Sequence, residues 1–143
     1  MNVQSILAKK GTSVATIKPE ASIKTAADWL RAKNIGVLVV IKDDAVLGII
    51  SERDIVRALS QYGESVVSES VRTVMTPAVI TAAPGDDING VMRLMTSRRV
   101  RHLPVLRNGK LAGIISIGDV VKHRLGDLEL ETNVLRDIYI AHR

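Results

Sequence analysis

The chain has 143 residues, of which 46% are hydrophobic and 24% charged, and its formal net charge is +5 at neutral pH. This hydrophobic fraction excludes an intrinsically disordered chain and is enough for one compact unit or two very small ones. The absence of cysteine excludes a disulfide framework, a thiolate zinc site and a cysteine nucleophile, and it favours a reducing compartment.

The distribution of apolar residues argues against a membrane protein. The most apolar stretch, residues 35–50, is broken by Lys42, Asp43 and Asp44, so it predicts two strands and not a membrane span. The first 13 residues lack the apolar core and small-residue cleavage site of a secretory signal. We therefore expect a soluble, cytoplasmic protein, and the positive charge favours an anionic partner such as a nucleotide, a nucleic acid or an acidic protein.

An internal repeat organises the chain. Residues 14–57 align without a gap with residues 79–122, at an offset of 65 residues. The identities include Val14/Val79, Thr16/Thr81, Pro19/Pro84, Ile23/Ile88, Leu38/Leu103, Val40/Val105, Gly48/Gly113, Ile49/Ile114, Ile50/Ile115, Ser51/Ser116, Asp54/Asp119 and Val56/Val121. Matches spread over the whole repeat indicate a duplication.

Each copy begins with a predicted strand and helix. The strand, residues 14–17 or 79–82, ends before a proline, which has no N–H for a sheet hydrogen bond. The helix follows with Ser22 or Asp87 as its N-cap and with one apolar face. The face residues are Ile23, Ala26, Ala27 and Leu30 in the first copy and Ile88, Val91, Met92 and Met95 in the second. Trp29 and the two methionines are expected in the core.

A hairpin and a second helix complete each copy. In the first copy Asp43-Asp44 separates two apolar runs, and Asn108-Gly109 stands at the same place in the second, which is typical of two-residue β-hairpin turns. The second helix begins after Ser51 or Ser116. The unit is β-α-β-β-α, twice, and we predict an α/β (α+β) fold. Because one copy buries too little surface alone, the two should pack about a pseudo-twofold axis that leaves a cleft.

Flanking segments complete the predicted organisation. The linker, residues 61–77, ends in a proline that blocks helix continuation. An N-terminal turn and an amphipathic C-terminal helix over residues 128–139 lie outside the repeats. We divide the chain into residues 1–76, the N-terminal segment with the first repeat and linker, and residues 77–143, the second repeat with the C-terminal helix. Apolar helix positions such as Ile55, Leu59 and Val121, together with the C-terminal helix, predict a homodimer.

The junctions between each hairpin and its second helix are the best candidates for a binding site. Backbone N–H groups and the positive end of the helix dipole gather there. The Ser-x-x-Asp spacing at Ser51/Asp54 and Ser116/Asp119 is equally a variant of the capping box. A carboxylate at a helix start can also accept both hydroxyls of a ribose. The local spacing alone favours the cap, whereas its recurrence in both copies supports ligand binding.

Both junctions begin with a glycine, Gly48 or Gly113. A glycine within a strand indicates the close approach of another backbone or of a flat ligand. We therefore expect another backbone or a flat ligand to pack tightly against the sheet at both junctions.

The doubled pattern resembles a known family. The segments that carry the resemblance are Thr16-Ile17-x-Pro19, Gly48-Ile49-Ile50-Ser51-x-x-Asp54, His102-Leu103-Pro104-Val105 and Gly113-Ile114-Ile115-Ser116-x-x-Asp119. With the repeat length and element order, they are similar to the CBS domain pair, or Bateman module, in its short stand-alone bacterial form. The resemblance covers nearly the whole chain. It implies a regulatory, non-catalytic module that binds AMP, ADP, ATP or NAD, with S-adenosylmethionine as a further ligand class, and senses energy or redox state for a target in trans.

The resemblance also implies one adenosine site per repeat. Asp54 or Asp119 would hold the ribose, Ser51 or Ser116 would contact ribose or phosphate, and apolar side chains would surround the adenine. The residues implied in nucleotide binding are Thr16, Ile17, Lys18, Val37, Leu38, Ile50, Ser51, Arg53, Asp54, Thr81, Ala82, Arg101, His102, Leu103, Ile115, Ser116 and Asp119.

The two sites are predicted to be unequal. Arg101 and His102 open the middle strand of the second copy, where the first copy has Gly36 and Val37. By the resemblance, these cationic groups would reach across to the phosphates of a ligand held by Asp54, which leaves the other site less charged. Arg98 and Arg99 fit a solvated helix end equally well, and Lys18 and Arg53 fit exposed charges.

Two other functions were weighed. A nucleic-acid-binding protein is suggested by the pI of 9.8 and the Arg98–Arg101 cluster, but the few aromatic residues argue against it. A hydrolase or transferase using Asp54 and Asp119 would need a general base partner or a metal set. The sequence has no P-loop, and His102, His123 and His142 lack metal-ligand spacing, so we expect no catalysis.

Overall fold

The computed structural model describes residues 1–77 and 80–141. Val79 and His142, on which two of the sequence predictions depend, lie outside the described residues, as does the side chain of Tyr139. No helix in the described ranges combines the length and the apolar character that a membrane span needs.

The structure contains the predicted unit twice. The first repeat comprises β1 (Thr16–Ile17), α2 (Ile23–Lys33), β2 (Val37–Lys42), β3 (Ala45–Ser51) and α3 (Glu52–Tyr62). The second comprises α4 (Ile88–Arg98), β5 (His102–Arg107), β6 (Lys110–Ser116) and α5 (Ile117–Ala141). The helix α1 (Val3–Lys10) precedes the first repeat, and two 3₁₀ helices (Glu64–Ser68 and Val71–Thr73) and β4 (Thr76–Pro77) join the repeats. The predicted mixed fold with two repeats is confirmed.

Each repeat is built on an antiparallel hairpin. In the first, β1 lies parallel to β2, β2 pairs with β3, and β4 adds antiparallel to β3, giving the order β1-β2-β3-β4. In the second, β5 pairs with β6. There the predicted first strand is represented among the described residues by a single parallel bridge between Ala82 and Val105.

Local sequence signals explain where these elements start and turn. Asp43 and Asp44 have φ values of 50° and 64°, and Asn108 and Gly109 have 53° and 78°. Two successive left-handed residues form the hairpin turn that the right-handed strand twist favours. The predicted N-caps are also confirmed, because Ser22 accepts from the Thr25 N–H and Asp87 accepts from the Gly90 N–H.

The segments that precede the repeats are exchanged, because each one packs in the core of the other repeat. Val3, Ile6 and Leu7 of α1 are buried in the core of the second repeat, whereas Val66 and Val71 of the linker are buried in the core of the first. Our grouping of the N-terminal segment with the first repeat is therefore corrected. The predicted N-terminal turn is a full helix, capped by the Asn2 side chain, which accepts from the Ser5 N–H.

The two strand glycines make this exchange possible. A Cβ atom on Gly113 would lie 2.7 Å from Cδ2 of Leu7, and one on Gly48 would overlap the backbone oxygen of Thr76. The predicted approach of another backbone is confirmed at Gly48, whereas the close neighbour at Gly113 is of another kind. At Gly48 the neighbour is backbone of the linker, and at Gly113 it is a side chain of α1.

Two further expectations differ from the structure. The C-terminal helix is not separate, because α5 runs without a break from the second repeat to Ala141. Trp29 is 40% exposed and lies outside the core, since Ile23, Ala26 and Leu30 supply the buried face of α2.

Candidate functional site

A cleft of about 520 Å³ lies between the two repeats. Its walls combine apolar and basic side chains from both repeats and from α1. The lining residues are Lys10, Ser13, Val14, Ala15, Lys33, Ile35, Gly36, Val37, His102, Ile114 and Ser116. Such a concave site with mostly apolar walls and a few polar groups is the usual form of a small-molecule site.

A smaller cavity of about 250 Å³ lies at the position that the internal repeat relates to the larger cleft. Its lining residues are Ile49, Thr76, Pro77, Ile80, Val100, His102, Leu103 and Pro104. Under the offset of 65 residues, Ile80, Val100 and Ile49 correspond to Ala15, Ile35 and Ile114 of the larger cleft. The two cavities therefore lie at pseudo-equivalent positions and share His102, and we call the larger one the Asp119 end and the smaller one the Asp54 end of the cleft.

Asp54 is engaged as a helix cap. Its Oδ2 accepts from the Ser51 N–H at 2.9 Å and from Ser51 Oγ at 3.0 Å, and its own N–H donates to Ser51 Oγ at 3.1 Å. Its Oδ1 accepts from Thr76 Oγ1 at 3.1 Å. Asp54 is 9% exposed, so little of its side chain is open to solvent.

Asp119 is engaged differently. Its Oδ2 accepts from the Ser116 N–H at 2.9 Å and also from Nζ of Lys10 at 2.6 Å. Burial raises the pKa of Asp119, but the hydrogen bonds from Lys10 and Ser116 and the charge of Lys10 outweigh burial and hold this pKa below its usual value. The carboxylate is therefore ionised at neutral pH and paired with a cation from outside its own repeat.

The structure separates the implied adenine contacts from the cleft. Val37 and His102 line a cavity, but five of the apolar residues are at most 4% exposed, and their side chains belong to the two hydrophobic cores. These five are Ile17, Leu38, Ile50, Ala82 and Ile115. Side chains alternate between the faces of a strand, so the neighbouring Val37, Ile49 and Ile114 face the cleft instead. Leu103 is buried in the core yet touches the smaller cavity.

The predicted basic residues line different cavities. His102 lines both cavities. Burial lowers its pKa, and the charges of Lys10 and Arg101 lower it further. The opposing effect of the Asp119 carboxylate on this pKa is smaller. His102 is therefore neutral at neutral pH. Arg101 is exposed and shares a cavity of about 350 Å³ with Arg53 and Arg99. Three arginines thus line one cavity, and Arg53 is the chain neighbour of Asp54.

The remaining implied residues contribute less. Thr16 and Thr81 are half-buried and Lys18 is exposed, and none of the three lines either end of the cleft.

Sequence reasoning missed Lys10 and Lys33, which line the larger cleft. The expectation of less positive charge at the Asp119 end therefore does not hold. Lys33 could have been found, because Arg98 is its basic counterpart in the second copy. Nothing local points to Lys10, whose place depends on α1 packing against the opposite repeat.

Comparison with known proteins agrees with this geometry. The family model of the CBS domain matches residues 6–61 and 71–126. The chain is 42% identical over 106 residues to the mitochondrial CBS domain-containing protein CBSX3 of Arabidopsis thaliana. The match covers 71% of this chain and 52% of that protein, so the chain spans about half the length of this relative.

Solved structures share the same fold. A CBS-domain containing protein from Agrobacterium tumefaciens matches with a TM-score of 0.83 and 45% identity, covering 87% of this chain and 99% of the other. The CBS domain pair of protein MJ0100, in complex with 5′-methylthioadenosine and S-adenosyl-L-methionine, matches with a TM-score of 0.74 and 26% identity, covering 89% and 98%.

Two repeats that share the α-β-β-α order, a cleft between them and a helix-capping aspartate at each junction thus coincide with a family match to both repeats. This chain belongs to the CBS domain family and is a CBS domain pair.

Proposed function

We propose that this chain is a regulatory module that binds an adenine nucleotide in the cleft between its repeats and carries out no catalysis. The observation that carries the proposal is the composition of the larger cleft. Apolar side chains of both repeats face one another there, and Lys10 and Lys33 stand beside them. An apolar slot next to cations matches a molecule with a flat base and a phosphate.

The cleft suggests a role for each group at the Asp119 end. Ala15, Ile35 and Ile114 would contact the adenine, because they form the apolar walls. Asp119 would accept the ribose hydroxyls, with Ser116 beside it. Lys10 and Lys33 would bind the phosphate through charge-assisted hydrogen bonds. The adenosine derivatives in the related MJ0100 pair support an adenosine ligand here.

The Asp54 end is proposed as a second site. Asp54 would hold the ribose after its hydrogen bond from Thr76 is exchanged. Arg53 and Arg101, which line one cavity, would meet the phosphates, and His102 would join them by gaining a proton as the phosphate approaches. The proposed occupants are AMP, ADP, ATP or NAD, and a target protein would respond to the ligand-induced change in the module. We further propose that the module works in the cytoplasm.

Ligand titration tests the proposal. Calorimetry with AMP, ATP, NAD and S-adenosylmethionine should detect saturable binding by at least one of them, and the same ligand should raise the melting temperature by mass action. Ribonucleotides should bind more tightly than 2′-deoxy analogues. Absence of binding by all four at millimolar concentration would refute the proposed function.

A salt series separates this function from nucleic-acid binding. An oligonucleotide held by the basic surface should lose affinity steeply between 50 and 200 mM salt (on the order of 10³-fold for six or more phosphate contacts). A nucleotide held by base and ribose contacts should keep most of its affinity over this range. Tight, salt-sensitive oligonucleotide binding without nucleotide binding would favour the rival function.

A further inference from the structure

Each junction carboxylate is occupied by a side chain from the segment that precedes the opposite repeat. Asp119 of the second repeat binds Lys10 of α1, which precedes the first repeat. Asp54 of the first repeat binds Thr76 of β4, which precedes the second repeat. One occupant is a cation and the other an uncharged hydroxyl. The exchanged segments therefore give the two ends of the cleft different chemistry.

The position of Lys10 is fixed by the core. It is the last residue of α1, one turn after Leu7, and Leu7 is 2% exposed and packs against Gly113. Lys10 lines the cleft and also a neighbouring groove of about 420 Å³ that contains Asp119. Lys10 is therefore shared by the cleft and by the groove that contains Asp119, and its Nζ lies 2.6 Å from Oδ2 of Asp119.

A bound ribose has to compete with this ammonium group. Oδ2 of Asp119 already accepts two hydrogen bonds, from Ser116 and from Lys10. A diol that uses both carboxylate oxygens displaces Lys10, because an oxygen offers about two acceptor positions. The released ammonium group, whose side chain is 33% exposed, then bonds either to water or to the ligand. A phosphate is a stronger partner for it than water, because the hydrogen bond is charge-assisted.

We propose that Lys10 makes the Asp119 end of the cleft selective for adenine nucleotides that carry a phosphate, by holding the carboxylate until a phosphate replaces it as the lysine's partner. The inference rests on the proposed function and deepens it. An uncharged adenosine breaks the Lys10–Asp119 pair and offers nothing in return. A nucleotide exchanges that pair for two others, ribose with Asp119 and phosphate with Lys10.

The Asp54 end provides the internal comparison. Thr76 leaves no unpaired charge when a ribose displaces it, because its hydroxyl can turn to water or to the ligand. Its cavity is lined by apolar residues, Pro77, His102 and Thr76. Replacing Thr76 should therefore change the affinities for adenosine and AMP by the same factor.

The test measures AMP and adenosine affinities by calorimetry in an Asp54→Asn background, which confines ribose binding to the Asp119 end. Lys10→Met, which keeps the length of the side chain and removes the charge, should weaken AMP binding about tenfold, the effect of one charge-assisted hydrogen bond. Adenosine affinity should stay the same or rise by a few fold, because the competing surface ion pair is weak. Lys10→Arg should keep the preference for AMP.

Lys9→Met is the matched control, because Lys9 also belongs to α1 but lines only the neighbouring groove. It should leave both affinities unchanged, and melting temperatures verify that each variant is folded. Equal losses for AMP and adenosine in Lys10→Met, or an unchanged AMP affinity, would overturn the inference while leaving the proposed function standing. If the parent protein binds neither AMP nor adenosine, the proposed function fails and the inference fails with it.

Discussion

At the scale of single residues, Asp54 and Asp119 occupy equivalent positions in the repeats, yet their surroundings differ. Both carboxylates accept from the backbone N–H of the serine three residues earlier. Asp54 also accepts a hydrogen bond from the hydroxyl of Thr76, whereas Asp119 accepts one from the ammonium group of Lys10. A helix cap leaves part of a carboxylate available, so capping and ribose binding are compatible roles of one side chain.

Asp54→Asn separates the two roles. The amide oxygen still accepts backbone hydrogen bonds, so the variant should lose at most about 1 kcal/mol of unfolding free energy. Its nucleotide affinity should fall by about 1.5–3 kcal/mol, because a charged acceptor for the ribose is lost. The preference for ribo- over 2′-deoxynucleotides, measured by calorimetry, should also shrink.

Asp87→Asn serves as the control for this variant, because Asp87 caps α4 and lines neither end of the cleft. It should cost similar stability and leave nucleotide affinity unchanged. If Asp54→Asn lowers the melting temperature but leaves affinity and ribose preference intact, the carboxylate is a cap only.

His102 predicts how stability depends on pH. Burial, aided by Lys10 and Arg101, holds its pKa in the folded state below the unfolded value, so the unfolded chain takes up the proton first. Stability should therefore fall as the pH drops below about 6.5, the pKa of an unfolded histidine. His102→Gln should lose less stability than the parent between pH 7.5 and 5.5 in urea unfolding. Identical pH slopes for both proteins would contradict this assignment.

At the scale of elements, α1 and β4 are placed by strand glycines of the repeats they cover. The two glycines differ in what surrounds them. Gly48 faces the backbone of Thr76 and Pro77, which is held in the sheet by pairing with β3. Gly113 faces the end of the Leu7 side chain, which has rotatable bonds and can move.

Gly48→Ala should therefore destabilise the fold more than Gly113→Ala. We expect a loss at the upper part of the range of about 1–3 kcal/mol for Gly48→Ala and at its lower end for Gly113→Ala. Gly85→Ala is the control, because no neighbouring atom of residues 1–77 or 80–141 lies within 4 Å of its Cβ position. Urea unfolding measures all three, and equal losses at positions 48 and 113 would show that the backbone of β4 yields as easily as a side chain.

At the scale of the whole molecule, one chain exposes more apolar helix surface than a monomer usually does. Four apolar side chains of α5 are 41–67% exposed: Val121, Leu125, Leu128 and Leu135. They follow one another at intervals of four, three and seven residues, which places them on one stripe, as in a coiled-coil helix. On α3, Val56 and Leu59 are exposed as well, whereas Ile55, which we expected at an interface, is buried in the core.

We predict a homodimer that buries the stripe on α5. Light scattering at micromolar concentration should give twice the mass of one chain. Leu128→Asp combined with Leu135→Asp should give a monomer without loss of helix content, because both side chains point away from the core. A monomeric mass for the parent protein would contradict the prediction.

The repeat, the order of its elements and the places where they begin can be predicted from the sequence alone. These features depend on neighbours along the chain: the hairpin turns need the left-handed residues at Asp43-Asp44 and Asn108-Gly109, and the helices need their caps at Ser22, Asp87 and Ser51. Local hydrogen bonding and steric preference act over a few residues and can therefore be read without the fold.

Which side chains meet at the cleft depends on how the distant segments pack in the folded chain. The apolar residues nearest the motif, such as Leu38 and Ile50, face the cores, because a shift of one residue along a strand changes the face. Lys10 reaches Asp119 across 109 positions of sequence, since α1 packs on the opposite repeat. No short-range pattern encodes that contact. It arises from the burial of Val3, Ile6 and Leu7 in a core that the two distant segments form together.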